Sequence, residues 1–231
     1  MSTSLRLLIV NPNTSAAVTR WLAEEAKRVA GKHVEVVAVN APSGLSAIQT
    51  PDELLQAARA VVDTIKNNPE ADATIIGAFG DPGLMEARAG VAIPVVGLGE
   101  AGLRAAGNGR RFSIVTLGEA MRAALVERVQ SLGLDDRLAE IRVLPTPIPE
   151  LIADREAHYD AIADAVRACK GDAILLGGAP LAGLGAKMTE KTGATVLDGV
   201  EASVTAALKI APQRVGRRRT PAARLWSQTA D

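Results

Sequence analysis

The chain has a single cysteine, Cys169, which excludes a disulfide framework and any site built from several thiolates. It has two histidines, His33 and His158, and no pair of histidines or carboxylates stands at metal-ligand spacing. Aromatic residues make up 2% of 231, so Val, Ile, Leu and Ala must fill the core. Charge of either sign is not in excess, with 26 basic residues against 26 acidic ones, so the whole chain carries no signal for nucleic acid. No apolar run reaches the length of a membrane span. Met1-Ser-Thr-Ser leads directly into a strand pattern rather than a charged-then-apolar signal peptide, and a reducing cytoplasm is the expected setting.

What is present is a repeated phrase. Ala-Thr-Ile-Ile-Gly-Ala-Phe-Gly-Asp-Pro-Gly-Leu runs from Ala73, and Ala-Ile-Leu-Leu-Gly-Gly-Ala-Pro-Leu from Ala173, 100 residues later. Each is a short apolar run, a turn of small residues, then Pro and the start of a helix. Leu7 to Asn11 and Phe112 to Thr116 form a second pair at a similar offset. Apolar runs alternate with helical patterns throughout, the signature of parallel βαβ units. The pattern predicts strands at 5–11, 33–40, 73–77, 94–97, 111–116, 139–144, 172–177 and 194–197. It predicts helices at 14–30, 52–67, 82–90, 99–107, 119–131, 155–169, 181–191 and 200–211. Thr14 or Ser15, Thr50 with Glu53, and Asp198 are the helix-start signals. Pro145, Pro147 and Pro149 predict a loop over the surface or a cleft. The fold class is α/β, in two pseudo-symmetric lobes of mainly parallel sheet flanked by helices, with a ligand cleft between them. Residues 1–100 with about 198–212 form the first lobe, 101–197 the second, and 213–231 a basic, loosely ordered tail carrying Arg214, Arg217, Arg218, Arg219 and Arg224.

Ligands of open parallel sheets sit beyond the carboxyl ends of the strands. That rule selects Asn11 to Thr14, Gly77 to Asp81, Thr116 to Glu119 and Gly177 to Ala179, turns that lead into helix N-termini. In these turns the chain resembles the aspartate/glutamate/hydantoin racemase superfamily, on its hydantoin and allantoin racemase branch. The phrases that carry the resemblance are Asn11-Pro12-Asn13-Thr14-Ser15, Phe79-Gly80-Asp81-Pro82-Gly83-Leu84, Val115-Thr116-Leu117, Ala182-Gly183-Leu184 and Leu197-Asp198-Gly199-Val200. They span roughly residues 5 to 210. The resemblance implies a small carboxylate, cyclic ureide or amide as ligand, no cofactor, a C-terminal helix that returns to the first lobe, and a homo-oligomer.

Racemases of this superfamily work with two cysteines, one per lobe, because inversion needs a base and an acid on opposite faces of one carbon. By resemblance those cysteines fall at Ala78 and Gly178, where this chain has no side chain that can carry a proton. Cys169 lies before a predicted strand, at the end away from the cleft, and reads as structural. Two-thiol racemisation is therefore not expected. Three readings stand open: different proton-transfer, isomerase or lyase chemistry in the same pocket, ligand binding without turnover, or an inactivated racemase.

The candidate substrate-binding residues are Asn13, Ala78, Phe79, Thr116, Gly178 and Ala179. Asn13 offers an amide and Thr116 a hydroxyl, while Gly178 and Ala179 offer backbone N–H groups to an oxyanion. Asp81 is either a general base beside Ala78 or the cap of a helix opening at Pro82. His33 and His158 read as structural or surface residues. A rival motif, Gly97-Leu-Gly99-Glu-Ala-Gly102 with Glu119 beyond it, has the form of a dinucleotide fingerprint.

Overall fold

A computed structural model of the chain describes residues 4–42 and 44–211, so the arginine-rich segment at 213–231 lies outside the described residues. The first half runs β1 (Leu5–Asn11), α1 (Ala16–Ala30), β2 (Val34–Asn40), α2 (Pro51–Lys66), β3 (Ala73–Ile76), α3 (Leu84–Gly90), β4 (Val95–Gly97) and α4 (Leu98–Ala106). The second runs β5 (Phe112–Leu117), α5 (Arg122–Ser131), β6 (Leu138–Leu144), α6 (Ile148–Ala153), α7 (Tyr159–Arg167), β7 (Ala173–Gly177), α8 (Gly185–Thr192), β8 (Val196–Asp198) and α9 (Gly199–Ile210). Two four-stranded sheets result, ordered β2-β1-β3-β4 and β6-β5-β7-β8, with every pairing parallel. The same order in both sheets is the three-dimensional form of the sequence repeat. Every residue of the central strands β3, β5 and β7 is buried, as parallel strands covered on both faces require, whereas the edge strands β2 and β6 are largely half-buried.

Local chemistry sets the helix starts. The Ser15 hydroxyl accepts from the Val18 N–H. Thr50 and Glu53 form a reciprocal capping box with Pro51 in the first turn, and Asp198 accepts from the Val200 N–H. Three predicted helices are shorter than their patterns. The segments from 119, 156 and 179 each begin as one turn of 3-10 helix, and α8 starts only at Gly185 because Gly183, at φ +77°, turns the chain first. The proline loop ends sooner than predicted. Pro147 is the N-cap of α6, and Pro149 sits in its first turn, where the missing N–H costs no bond.

The two sheets exchange their last helices. Leu103 and Ala106 of α4 pack with Phe112, Ile114 and Leu175 of the second sheet. Val200, Val204 and Ala207 of α9 pack with Leu7, Ile9 and Ile75 of the first, so the C-terminal helix does return to the first half. The boundary expected at 100/101 falls inside α4. Among the described residues, no helix is long and apolar enough to cross a membrane.

Candidate functional site

A cavity of about 320 Å³ opens where the carboxyl ends of the strands from both sheets meet. Asn13 after β1, Ala78 to Asp81 after β3, Thr116 and Leu117 at the end of β5, and Ala179 and Pro180 after β7 all line it. Gly178 does not line it, although both its chain successors do. The remaining wall is mainly apolar: Ala47 and Ile48 from the 41–50 loop, Leu54, Leu84, Met85, Met121, Leu125, Ile148 and Ile152. Ile148 belongs to the proline segment, which reaches the cavity as the first turn of α6 rather than as a loop.

Asn13 is oriented by its own turn. Its Oδ1 accepts from Asn11 Nδ2 and from the Ser15 N–H, each at 2.9 Å. Asn11 is fully buried and in turn accepts from the Asn13 N–H. With the oxygen held by two donors, the amide Nδ2 of Asn13 has no protein partner among the described residues and is free for a ligand acceptor. Thr116 is more committed, because its hydroxyl donates to the Gly177 carbonyl, leaving lone pairs rather than a proton for a ligand. Phe79 lies across the junction of the lobes. A Cβ on Gly177 would come within 2.9 Å of its ring, so that glycine is what lets the ring seat against β7.

Asp81 holds an uncommon backbone conformation for a residue with a side chain, φ 49°, in the left-handed region. It does not cap the helix that follows it. That helix opens at Leu84 with Gly83 as its cap. The Asp81 carboxylate reaches instead to α4, where Oδ1 accepts from the Gly99 N–H at 2.9 Å and Oδ2 from the Glu100 N–H at 2.7 Å. Oδ2 also meets Arg128 Nη2 of α5 at 3.2 Å. Burial pushes the Asp81 carboxyl up to about 6, against the two N–H bonds and the guanidinium that favour its charged form. Both oxygens of this candidate base are therefore already engaged.

This cap also accounts for the glycine motif at 97–102. A Cβ on Gly97 would lie 2.4 Å from the Asp81 carboxyl carbon, one on Gly99 1.9 Å from the Phe79 carbonyl oxygen, and one on Gly102 3.2 Å from Leu175. All three glycines serve close packing, and the α4 N-terminus that would receive a pyrophosphate is occupied by Asp81. Glu119 is exposed and paired with Arg122. The site is not a dinucleotide cradle.

Arg128, absent from the sequence-level candidates, is the only cation lining the cavity among the described residues. Besides Asp81 it meets Glu100 Oε2 at 3.5 Å. Glu100 is also held by Arg88 at 2.9 Å and Arg104 at 3.2 Å. Burial acts to raise the Glu100 carboxyl, but these arginines outweigh it and hold it below the usual range. Cys169 is half-buried after α7, before the amino end of β7 and away from the cavity. Its Sγ meets the Ala165 carbonyl oxygen at 3.3 Å, and burial pushes its thiol up. His33 is exposed and His158 half-buried, and neither lines the cavity. Among the described residues no group of three or more His, Cys, Asp or Glu is placed to hold a metal ion.

Comparison with known proteins agrees with this geometry. The family model described as Asp/Glu/Hydantoin racemase matches residues 7–207. The chain is 32% identical over 207 residues to a hydantoin racemase of Pseudomonas sp. (strain NS671), covering 87% of this chain and 83% of that one. Its fold is similar to that of the allantoin racemase from Klebsiella pneumoniae, with a TM-score of 0.84 and 29% identity over 89% of this chain and 87% of that one. It is similar also to the allantoin racemase from Pseudomonas fluorescens, with a TM-score of 0.82 and 30% identity over 94% and 100%. With the repeated half, the paired sheets and the cavity at their strand ends, these matches establish that the chain belongs to the Asp/Glu/hydantoin racemase family.

Proposed function

We propose that this chain binds a small cyclic ureide, amide or carboxylate in the interlobe cavity and does not racemise it by the two-thiol route. The observation that carries the reading is that Ala78 and Gly178, at the turns after β3 and β7, offer no side chain that can move a proton at the two positions where the resemblance puts the base and the acid. Among the described residues, the wall's other side chains that could hold or move a proton are Thr116, Asp81, Glu86 and Arg128. Thr116 has committed its proton, Asp81 has both oxygens engaged, and Glu86 is exposed. What remains is a set of binding groups: the Asn13 amide, the backbone around Ala78 and Ala179, and an apolar wall that receives a substituent. The hydantoin and allantoin named for the relatives indicate the ligand class.

A second reading, turnover by one-sided proton transfer, isomerisation or elimination, is favoured by Asp81, whose carboxyl is pushed up to about 6 at the wall of the cavity. Loss of optical rotation together with solvent deuterium uptake at the stereocentre separates the two. Stabilisation by a hydantoin, allantoin or amino-acid ligand with neither change supports binding alone. Deuterium uptake with retained configuration supports one-sided exchange. Rapid loss of rotation by the unaltered chain with the compound otherwise unchanged, which is racemisation, overturns both.

A further inference from the structure

We propose that Arg128 is the anchor for the carboxylate of a ligand that carries an apolar substituent, so that the cavity prefers an open-chain carboxylate to a neutral ring. The inference rests on the preceding reading that the cavity takes a small ligand, and it narrows the class of that ligand.

Three observations carry it. The first is charge. Arg88, Arg104 and Arg128 converge on only two carboxylates, Asp81 and Glu100, so the cluster holds one positive charge in excess even with both acids ionised. Of the three guanidiniums only Arg128 lines the cavity, where Asp81 and the exposed Glu86 are the acids on the wall with it. The second is an unmade bond. Arg128 Nη2 is engaged, but the buried Nε–H has no acceptor. A buried donor left without a partner is costly, and a guanidinium at a cavity wall recovers that cost by turning its edge to an incoming acceptor. The third is prior commitment of its partners. Asp81 also accepts from the Gly99 and Glu100 N–H groups, and Glu100 from Arg88 and Arg104, so neither carboxylate depends on Arg128 alone.

The surroundings set the ligand class. Met121, Ala124 and Leu125 rise from the first turn and middle of the segment that bears Arg128, so the guanidinium works against apolar walls that screen it poorly. A planar fork of donors matches a carboxylate with two parallel bonds, whereas a ring carbonyl supplies one acceptor and leaves the charge uncompensated. The free Asn13 amide supplies a further donor to the same ligand.

The test uses a matched set of probes: 5-benzylhydantoin, its ring-opened carboxylate N-carbamoylphenylalanine, and the methyl ester of that carboxylate, titrated into the intact protein by calorimetry. The carboxylate is expected to bind about tenfold or more tightly than either neutral probe, the scale of one hydrogen bond to a charged group. That margin is expected to shrink as ionic strength rises and to disappear in Arg128→Met, while Arg128→Lys retains part of it. The comparison with the ester needs no variant, so it decides the matter even if Arg128→Met does not fold. Equal or tighter binding of the hydantoin and the ester overturns the anchor while leaving the cavity a ligand site. Binding of none of the three overturns the ligand reading as well.

Discussion

Asp81 and Asp198 make the same tie in the two lobes from opposite sides, each joining the turn after the third strand of its sheet to the start of the last helix. In the first lobe the carboxylate stands on the turn after β3 and captures the N–H groups of Gly99 and Glu100, where β4 passes into α4. In the second it stands where β8 passes into α9 and captures the Gly183 N–H of the turn after β7, at 2.6 Å, besides capping its own helix through Val200. Both are buried, and burial pushes both carboxyls up to about 6.

These two acids predict an uncommon pH response. A carboxyl raised above its unfolded value near 3.8 is protonated in the folded chain over a window where the unfolded chain has released its proton. The folded state binds more protons there, so this contribution is complete below about pH 4 and declines as pH rises through about 6, by on the order of 3 kcal/mol per group. Glu100, Glu119 and Asp160 are held low and act in the opposite direction on acidification. A variant therefore isolates the effect. The stability advantage of the natural chain over Asp198→Asn should be larger at pH 4.5 than at pH 7.5 in urea melts, and an advantage that grows with pH contradicts the assignment.

Gly99→Ala should be among the costliest single-methyl changes in the protein. Its Cβ would stand 1.9 Å from a backbone oxygen, which cannot swing aside as a side chain can. Relief must come from moving the turn after β3 or the start of α4, at a cost of about 2–3 kcal/mol. Gly193→Ala, where a Cβ meets nothing within 4 Å but φ is +73°, offers a comparison in which only backbone strain operates. Guanidinium denaturation of the two variants should rank Gly99→Ala as the less stable.

Restoring thiols is expected to be asymmetric. Ala78→Cys adds one sulfur at a cavity wall and should leave the melting temperature nearly unchanged. Gly178 has open space around its missing Cβ, with nothing nearer than 3.8 Å, but its φ of +148° disfavours any side chain, so Gly178→Cys should lose about 1–3 kcal/mol. Polarimetry on hydantoins tests function. Racemisation should require both changes, and its appearance with Ala78→Cys alone would point to a proton donor on the opposite face that is already present.

Cys169 should behave as an inert thiol. Half-buried, bonded to the Ala165 carbonyl and raised by its surroundings, it should react with iodoacetamide at pH 8 far more slowly than it does in denaturant. Cys169→Ser should leave ligand affinity unchanged.

The alternation of strands and helices was legible because each buried strand is a continuous apolar run ended by small or polar residues. The strand-end rule then brought Asn13, Ala78, Phe79, Asp81, Thr116 and Ala179 to one cavity. What escaped was nonlocal. Asp81 looked like a local cap because Pro82 follows it, yet its donors lie 18 and 19 residues further on. Arg128 sits in the last turn of a helix, 47 residues from the carboxylate it meets, where a basic residue reads as an ordinary helix-end signal. The glycines at 97, 99 and 102 imitate a phosphate-binding phrase because tight backbone approach demands the same residue whatever approaches. Helix α6 was missed because three prolines in five positions outweigh the start signal that two of them supply.

The exchanged helices α4 and α9 carry a consequence for how the protein can be divided. Each sheet borrows its finishing layer from the other repeat, so a fragment cut between α4 and β5 would leave each product with a bare apolar face and an orphan helix. The ancestral unit behind such a duplication would have been self-sufficient only as a pair of identical copies trading these helices, and the fused descendant should melt in one calorimetric step.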